Sequence, residues 1–341
     1  MVRAAAIAVV VVALAVAGSA SSARPDRFVV RPLVTDRADP QLVNAWGLAA
    51  SAKGPWWVAN EARSSSTLYA ADGRKQALTV RVPGGPTSVV FNRSHGFVVR
   101  AGGVAAPARF IYACEDGMIR GWSPTVPHGW SMETEIAVDA GATAAVFRGL
   151  AIAAGRLYAT DFHNGRVLVF DSRWRRVVRS GAFVDPSIPE WYAPFGIQAA
   201  GDRIFVTYAG RAPVNGNDAP TGGYVDEFDL DGRLLARVGS RDELDQPWGV
   251  ALAPRGFGRL GGDLLVANFG GERISVYARR GNGWSYRGRL PVKVPGVWGI
   301  AFGTGGVSGP RTTLFYAAGP HRWYGDTEVD IHGVLGSITP S

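Results

Sequence analysis

Carboxylate and imidazole side chains follow several short apolar runs, and these side chains could hold a metal ion. Asp116, Asp161 and His163 lie at the ends of strand-like segments, and Glu61 and His321 occupy similar positions. Such a set would suit Ca²⁺ through its oxygens, or Zn²⁺ with the imidazoles included. In the competing interpretation, each Asp caps a turn by accepting local backbone hydrogen bonds. The sequence has no HExxH, CxxC or HxH spacing, which favours the turn interpretation.

The chain contains no sequence motif typical of covalent catalysis. The GxSxG turn that presents a nucleophilic serine is missing, and no histidine is spaced to suit a serine. Cys114 is the single cysteine and lies in the apolar run FIYAC, where a small buried hydrophobe is expected. We therefore expect a binding protein rather than an enzyme.

Two long loops offer a better candidate for binding, because loops on repeat scaffolds often carry function. One loop spans residues 209–223, and the other spans residues 320–328. Both follow the second strand of a repeat, so both should rise on the face where the innermost strands begin. The residues predicted to form this ligand face are Arg148, Asn215, Asn217, Asp218, His321, Trp323 and Tyr324.

Four aromatic residues at repeated positions, Trp46, Phe195, Trp248 and Trp298, have two interpretations. They could form an exposed platform for a sugar or peptide. They could also pack between neighbouring repeats, since their bulky rings contribute much of the buried area in protein cores. A ligand rarely needs the same residue in most repeats, so the pattern favours packing.

A short internal repeat must position all of these residues. An aromatic or small residue is followed by glycine and then by an apolar strand, with glycine at positions 47, 149, 196, 249 and 299 and Ser88 in a degenerate copy. The copies are roughly 40 to 60 residues apart, and periods near 40–50 are typical of propeller blades with four strands each. The sequence therefore predicts six blades.

The last repeat reaches the end of the chain after only three strands. Its missing outer strand can come from Phe28–Val34, which precedes the first inner strand. Such closure would protect the sheet edges and would stabilise a domain that has no disulfide. We predict an all-β, six-bladed β-propeller of four-stranded blades, with the last blade closed by the N-terminal strand.

The chain resembles the NHL-repeat family over essentially its whole mature length, although individual blades diverge. In Leu157–Asp171, a strand ending in Asp precedes a loop with Asn164, then Arg166 and an alternating strand. Val266–Tyr277 keeps the arginine but has Asn268 in place of Asp. The likeness implies a propeller, but NHL propellers include lyases, RNA binders and scaffolds, so it assigns no activity.

The Pro-x-Gly starts at Pro194 and Pro247 are also similar to that family. More closely, the chain resembles a group of predicted secreted bacterial propellers, through LVNAWGL at residues 42–48 and LFYAAGP at residues 314–320. This resemblance implies export and the same fold.

The N-terminus is typical of a secretory signal peptide. Arg3 precedes the apolar run Ala4–Ala17, and small residues follow up to Ala23. The run is shorter than the ~20 residues that a spanning helix needs, and no second run follows, so we expect no membrane span. We predict a signal peptide at residues 1–23 and a single propeller domain at 24–341, located extracellularly or in the periplasm.

The chain is basic, with a net charge of +8 and 36 lysines and arginines. Because the arginines are scattered, we do not expect a nucleic-acid partner, and polyanion binding is a third hypothesis only. The favoured function is a monomeric binding or scaffold module for a protein, peptide or glycan. The alternative is a metal-dependent lyase or hydrolase with its site at the central channel.

Overall fold

Short apolar strands separated by glycine-containing turns make up almost all of the described chain. The computed structural model describes residues 27–129, 131–211, 221–320, 322–324, 327–329 and 332–341. The first strands are β1 (Phe28–Thr35), β2 to β5 (Ala45–Ala50, Trp56–Asn60, Ser65–Tyr69, Lys75–Arg81), β6 to β11 (Pro86–Phe91, Val98–Ala101, Val104–Pro107, Phe110–Cys114, Met118–Trp122, Glu135–Asp139) and β12 to β15 (Phe147–Ala153, Arg156–Asp161, Arg166–Asp171, Arg176–Val177).

The second half of the chain continues the same arrangement. Its strands are β16 to β19 (Tyr192–Ala200, Arg203–Gly210, Tyr224–Asp229, Leu234–Ser240), β20 to β23 (Pro247–Leu252, Leu264–Asn268, Arg273–Arg280, Gly283–Arg289) and β24 to β28 (Val297–Phe302, Leu314–Ala318, Arg322–Tyr324, Thr327–Val329, Val334–Pro340). The helices of the described residues are single 3₁₀ turns at Glu61–Arg63, Gly141–Thr143, Arg241–Glu243, Gly258–Leu260 and Gly306–Ser308.

The larger sheets of the described residues are six four-stranded antiparallel blades. Their strand orders, from the inner strand outward, are β2-β3-β4-β5, β6-β9-β10-β11, β12-β13-β14-β15, β16-β17-β18-β19, β20-β21-β22-β23 and β24-β25-β28-β1. The predicted six-bladed propeller is therefore confirmed.

The first strand closes the ring, as the sequence predicted. β1 pairs with β28 in antiparallel register, with Phe28 opposite Pro340 and Thr35 opposite Val334. The outer strand of the sixth blade thus comes from the other end of the chain.

The inner-strand glycines are needed because neighbouring inner strands approach closely. A Cβ atom on Gly299 would lie 2.5 Å from the carbonyl oxygen of Trp46, and one on Gly196 would collide with the carbonyl oxygen of Trp248. In the second blade Ser88 stands at this position, and its hydroxyl accepts a hydrogen bond from the backbone N–H of Leu150 at 3.1 Å. The residues that repeat in the sequence are therefore the ones through which neighbouring blades contact each other.

Two hairpins are inserted between blade strands. β7 and β8 pair with each other between the first and second strands of blade two, which explains the longest interval between repeats. β26 and β27 pair between the second and third strands of blade six.

Apolar side chains from adjacent blades fill the spaces between the sheets. One cluster joins Tyr158 and Val169 of blade three to Ile204 and Phe228 of blade four. Cys114 is fully buried among such side chains, as expected. Within the described ranges, no helix has the length and apolar character needed to cross a membrane.

Candidate functional site

The central channel has two ends, which we call the upper and lower faces. The upper face is where the inner strands begin and where second strands turn into third strands, and it includes residues 44, 61, 115 and 148. The lower face is where inner strands turn into second strands, and it includes residues 51–55 and 303–313. The sequence assigns the predicted ligand residues to the upper face.

Aromatic side chains close the channel below the upper face. Trp46, Phe195, Trp248 and Trp298, which we call the aromatic plug, are each no more than 7% exposed. The rings of Trp46 and Trp298 stack at 3.7 Å, and Phe269 stacks on Trp298 at the same distance. The plug residues pack against one another, as the packing interpretation predicted, so none offers an exposed platform.

A charged pair lies directly above the plug. The guanidinium of Arg148 sits 5.2 Å from the ring centroid of Trp46 and 5.9 Å from that of Phe162. It also forms an ion pair with Glu115 of the neighbouring blade. The two charged side chains keep 23% and 32% of their surface exposed, so a ligand at the upper face could reach both.

Asn44 and Glu61 of blade one extend this charged region. The amide nitrogen of Asn44 donates to Glu61 Oε2 at 2.8 Å. Its amide oxygen accepts hydrogen bonds from the indole N–H groups of Trp46 at 2.9 Å and Trp298 at 3.2 Å. Asn44 therefore ties the plug to the polar groups above it.

Together Asn44, Glu61, Glu115 and Arg148 form what we call the polar rim. The two carboxylates flank Gly85, since a Cβ atom there would lie 3.2 Å from Glu61 Oε1 and 3.3 Å from Glu115 Oε2. The rim thus contains two carboxylates and one guanidinium. It offers both hydrogen-bond acceptors and donors to a ligand.

The residues predicted to bind a metal are engaged in local contacts. Asp116 accepts hydrogen bonds from the guanidinium of Arg120 at 2.7 Å and the backbone N–H of Met118 at 3.0 Å. Asp161 is fully buried and accepts from Asn164 Nδ2 at 2.8 Å and Arg166 Nε at 3.0 Å.

His163 is exposed beside Asp161, and its carbonyl oxygen accepts a hydrogen bond from Arg211 at 2.8 Å. In the part of the chain that the structure describes, no three His, Cys, Asp or Glu side chains are grouped to hold a metal ion. The Ca²⁺ or Zn²⁺ site stays a prediction, while the contacts of both aspartates fit the turn interpretation.

The structure covers the remaining predicted ligand residues only in part. Asn215, Asn217, Asp218 and His321 lie outside the described residues. Trp323 and Tyr324 belong to β26, and the β26–β27 hairpin joins a second strand to a third strand, which places its backbone at the upper face. Of the predicted set, Arg148 is the residue that the structure brings into the polar rim.

A buried charged cluster in blade four was missed by the sequence analysis. Asp226 is fully buried and, like Asp185, forms an ion pair with Arg237. Burial raises the pKa of Asp226 to about 7, against the opposing effect of Arg237. Burial also acts to raise the pKa of Asp185, but hydrogen bonds from Ser187 and Arg237 outweigh it and hold that pKa below its usual value.

This cluster fastens the loop before blade four to the outer strand of that blade. Asp185 lies in the loop, and Arg237 lies in β19. The adjacent acids Asp226 and Glu227 in the strand YVDEFD were the signal that could have revealed this cluster, because acidic side chains are seldom buried without partners.

The chain has relatives of known sequence, although no family model matches it. It is 32% identical over 323 residues to "Uncharacterized protein R648" of Acanthamoeba polyphaga mimivirus, across 88% of this chain and 76% of that protein. It is 30% identical over 292 residues to "Uncharacterized protein L690" of the same virus, across 80% of this chain and 76% of that protein. Both relatives are viral, so the resemblance to bacterial propellers stays an expectation.

Solved structures share the fold at much lower identity. The soluble aldose sugar dehydrogenase from Escherichia coli, in its apo form, matches with a TM-score of 0.57 and 13% identity, covering 92% of this chain and all of that one. A streptogramin B lyase matches with a TM-score of 0.54 and 11% identity, covering 93% and 98%. Identities this low establish the fold alone. This six-bladed β-propeller chain belongs to the family of the mimivirus proteins R648 and L690.

Proposed function

We propose that this protein is an exported binding module whose ligand docks on the upper face against the polar rim. The observation that supports this most is the gathering of partly exposed charged groups from three blades above a sealed aromatic plug. Arg148, Glu115 and Glu61 come from blades three, two and one, and they meet at the channel axis.

The rim is already ordered before any ligand arrives. Arg148 is held by its ion pair with Glu115 and by its contacts with Trp46 and Phe162, and Asn44 is held by two indoles. Binding to a preformed site costs little side-chain entropy, which favours affinity.

The chemistry of the rim suits a ligand with several hydroxyl or amide groups. Two carboxylates accept hydrogen bonds from hydroxyl, amide or amine donors, while the guanidinium donates to carbonyl or carboxylate oxygens. A glycan, a peptide or a loop of a partner protein presents both kinds of group. The alternative of a metal-dependent lyase or hydrolase gains no support from Asp116 and Asp161, because both are hydrogen bonded to arginine.

Export is part of the same proposal. The order of charge, apolar run and small residues in residues 1–23 supports a signal peptide, and residues 24–341 would then be the mature propeller domain. The N-terminal sequence of protein recovered from the medium or periplasm tests this. A mature protein that begins at Met1 would contradict it.

The binding proposal is tested on glycan and peptide arrays with the wild-type protein, Arg148→Ala and Glu115→Gln. Truncating a central contact residue commonly costs about 2 kcal/mol, so we expect a roughly thirtyfold loss of affinity for the ligands found. Arg173→Ala, at an exposed residue of a lower-face loop, is the matched control and should bind normally. Ligands that bind both rim variants as tightly as the wild type would refute the proposed site.

A further inference from the structure

Below the aromatic plug, the channel widens into a cavity that opens on the lower face. Its volume is about 240 Å³, and the inner strands of all six blades line it. The lining includes the aliphatic side chains of Leu48, Val90, Ile152, Ile197 and Ile300. An apolar cavity of about 150 Å³ is already large enough to hold benzene. The cavity can therefore accept an apolar group of several carbon atoms.

Apolar side chains continue from the cavity onto its mouth. Phe91, Ile152 and Phe302 are half-buried at the ends of their inner strands, and Leu252 is 46% exposed. A second cavity of about 430 Å³ between blades two and three shares Phe91, Ile152 and Ala199 with the first. Polar groups are interspersed with these side chains, among them Gln198 and Thr304 in the first cavity and Asn92 and Ser94 in the second. Exposed apolar side chains that gather at the mouth of a cavity commonly mark a binding site.

The loops around this mouth are strongly basic. The six connections between first and second strands carry two acidic residues, Asp202 and Asp263, and seven basic ones, Lys53, Arg93, Arg100, Arg109, Arg255, Arg259 and Arg311. One of the two acids is already neutralised, since Asp263 is buried and paired with Arg287.

Four of the basic residues, Lys53, Arg93, Arg255 and Arg311, form what we call the basic collar. All four are exposed, and none makes an ion pair with a described residue. Two of these loops adjoin the cavities. Arg93 lines the second cavity. Thr304, which lines the first cavity, donates a hydrogen bond to the carbonyl oxygen of Ser51, two residues before Lys53. Positive charge therefore lies on the loops beside a partly apolar well.

We propose that this lower-face well binds a soluble single-chain anionic amphiphile, a molecule with a carboxylate head and an alkyl tail. The tail occupies the cavity beneath the plug, and the head lies among the residues of the basic collar. Burial of each methylene contributes about 0.8 kcal/mol, so the tail supplies most of the affinity and the collar selects the charge.

The recessed shape of the well favours one free chain over a membrane surface. The apolar residues line a recess between six inner strands, whereas anchoring in a bilayer needs apolar side chains that protrude into it. The site lies at the opposite end of the ring from the polar rim, so it goes beyond the proposed function.

Calorimetric titration with octanoate, 1-octanol and acetate tests the proposal. We expect octanoate to bind more tightly than 1-octanol, which lacks the charge, and acetate, which lacks the tail, to show no binding. Replacing two collar charges, in Lys53→Gln with Arg93→Gln, should weaken octanoate roughly threefold to tenfold and leave 1-octanol unchanged.

Ala199→Trp, which places an indole at the junction of the two cavities, should weaken both octanoate and 1-octanol by roughly tenfold or more. Val178→Trp is the matched control, because Val178 is 74% exposed and lines neither cavity. Arg148→Ala should also bind octanoate normally, which separates this site from the polar rim.

Three results would overturn the proposal. The first is octanoate binding no tighter than acetate. The second is octanoate binding that persists unchanged in both Ala199→Trp and the collar variant. The third is retention on phosphatidylglycerol vesicles without octanoate binding in solution, which would assign the surface to a membrane. If Ala199→Trp fails to fold, the collar variant and the three ligands still test the proposal. The collar residues are exposed, so their substitution should leave the fold intact.

Discussion

Removal of the first strand should cost the propeller a large part of its stability. In β1, Val34 is 8% exposed, and Phe28, Val30 and Leu33 are partly buried against the cores of the neighbouring blades. Full burial of such a side chain contributes about 1.5–3 kcal/mol. Counting about 2 kcal/mol for Val34 and about 1 kcal/mol for each of the others, the strand contributes about 5 kcal/mol.

That loss is comparable to the net stability of many proteins, which is about 5–15 kcal/mol. We expect a protein of residues 36–341 to unfold at a urea concentration lower by at least about 1 M than a protein of residues 27–341. Unfolding is followed by tryptophan fluorescence and by near-ultraviolet circular dichroism.

Two substitutions within the strand separate burial from chain length. Val34→Asp places a carboxylate in the core and should destabilise the protein by about 3 kcal/mol or more. Val29→Asp, at a side chain that is 37% exposed, is the control and should cost less than about 1 kcal/mol. Equal urea midpoints for the long and short proteins, or equal effects of the two substitutions, would show that β1 does not close the ring.

The pKa of Asp226 is about 7 in the folded state, whereas its ordinary value is 3.8. Because the folded protein binds this proton more tightly than the unfolded chain, the proton stabilises the native state. This stabilisation is complete below about pH 4 and is lost as the pH rises through 7. Asp226→Asn should remove up to about 4 kcal/mol of that pH dependence, and parallel curves of unfolding free energy against pH for the two proteins would contradict this. Cys114 is fully buried, and burial raises the pKa of its thiol. Native protein should therefore not react with a disulfide reagent, whereas unfolded protein should react at one thiol per chain. Rapid labelling of the native protein would contradict the burial of Cys114. Because Asp116 and Asp161 already accept hydrogen bonds from arginine, a chelator should leave Tm unchanged, and a drop in Tm that Ca²⁺ or Zn²⁺ reverses would favour the metal site instead.

The fold could be predicted because its determinants recur along the chain. The inner-strand glycines are required sterically, as Gly299 is where it meets the backbone of Trp46. Five such glycines, together with Ser88 at the same position of the second blade, give the number of blades. The closing role of Phe28–Val34 followed from a missing strand. The β7–β8 hairpin was not predicted, because it interrupts one repeat and has no counterpart between the first and second strands of the other blades.

The site was less predictable because its contacts cross between blades. Arg148 and Glu115 are each visible as polar residues at strand ends, but their pairing depends on how two blades are rotated around the axis. The same holds for Asn44, whose amide oxygen accepts hydrogen bonds from the indoles of Trp46 and Trp298, which come from opposite ends of the chain. The pairing of Asp185 with Arg237 likewise joins a loop to a strand that lies 52 residues further along the chain.

The pairing of β1 with β28 also has a consequence for synthesis of the protein. β1 finds its partner only after β28 has been made, because Phe28 lies opposite Pro340. A chain that stops before β28 leaves β1 unpaired and the sixth blade without its outer strands. Unpaired strand edges attract other chains, and open structure is readily cleaved by proteases. Closure of the ring thus distinguishes chains that contain β28 from chains that stop before it.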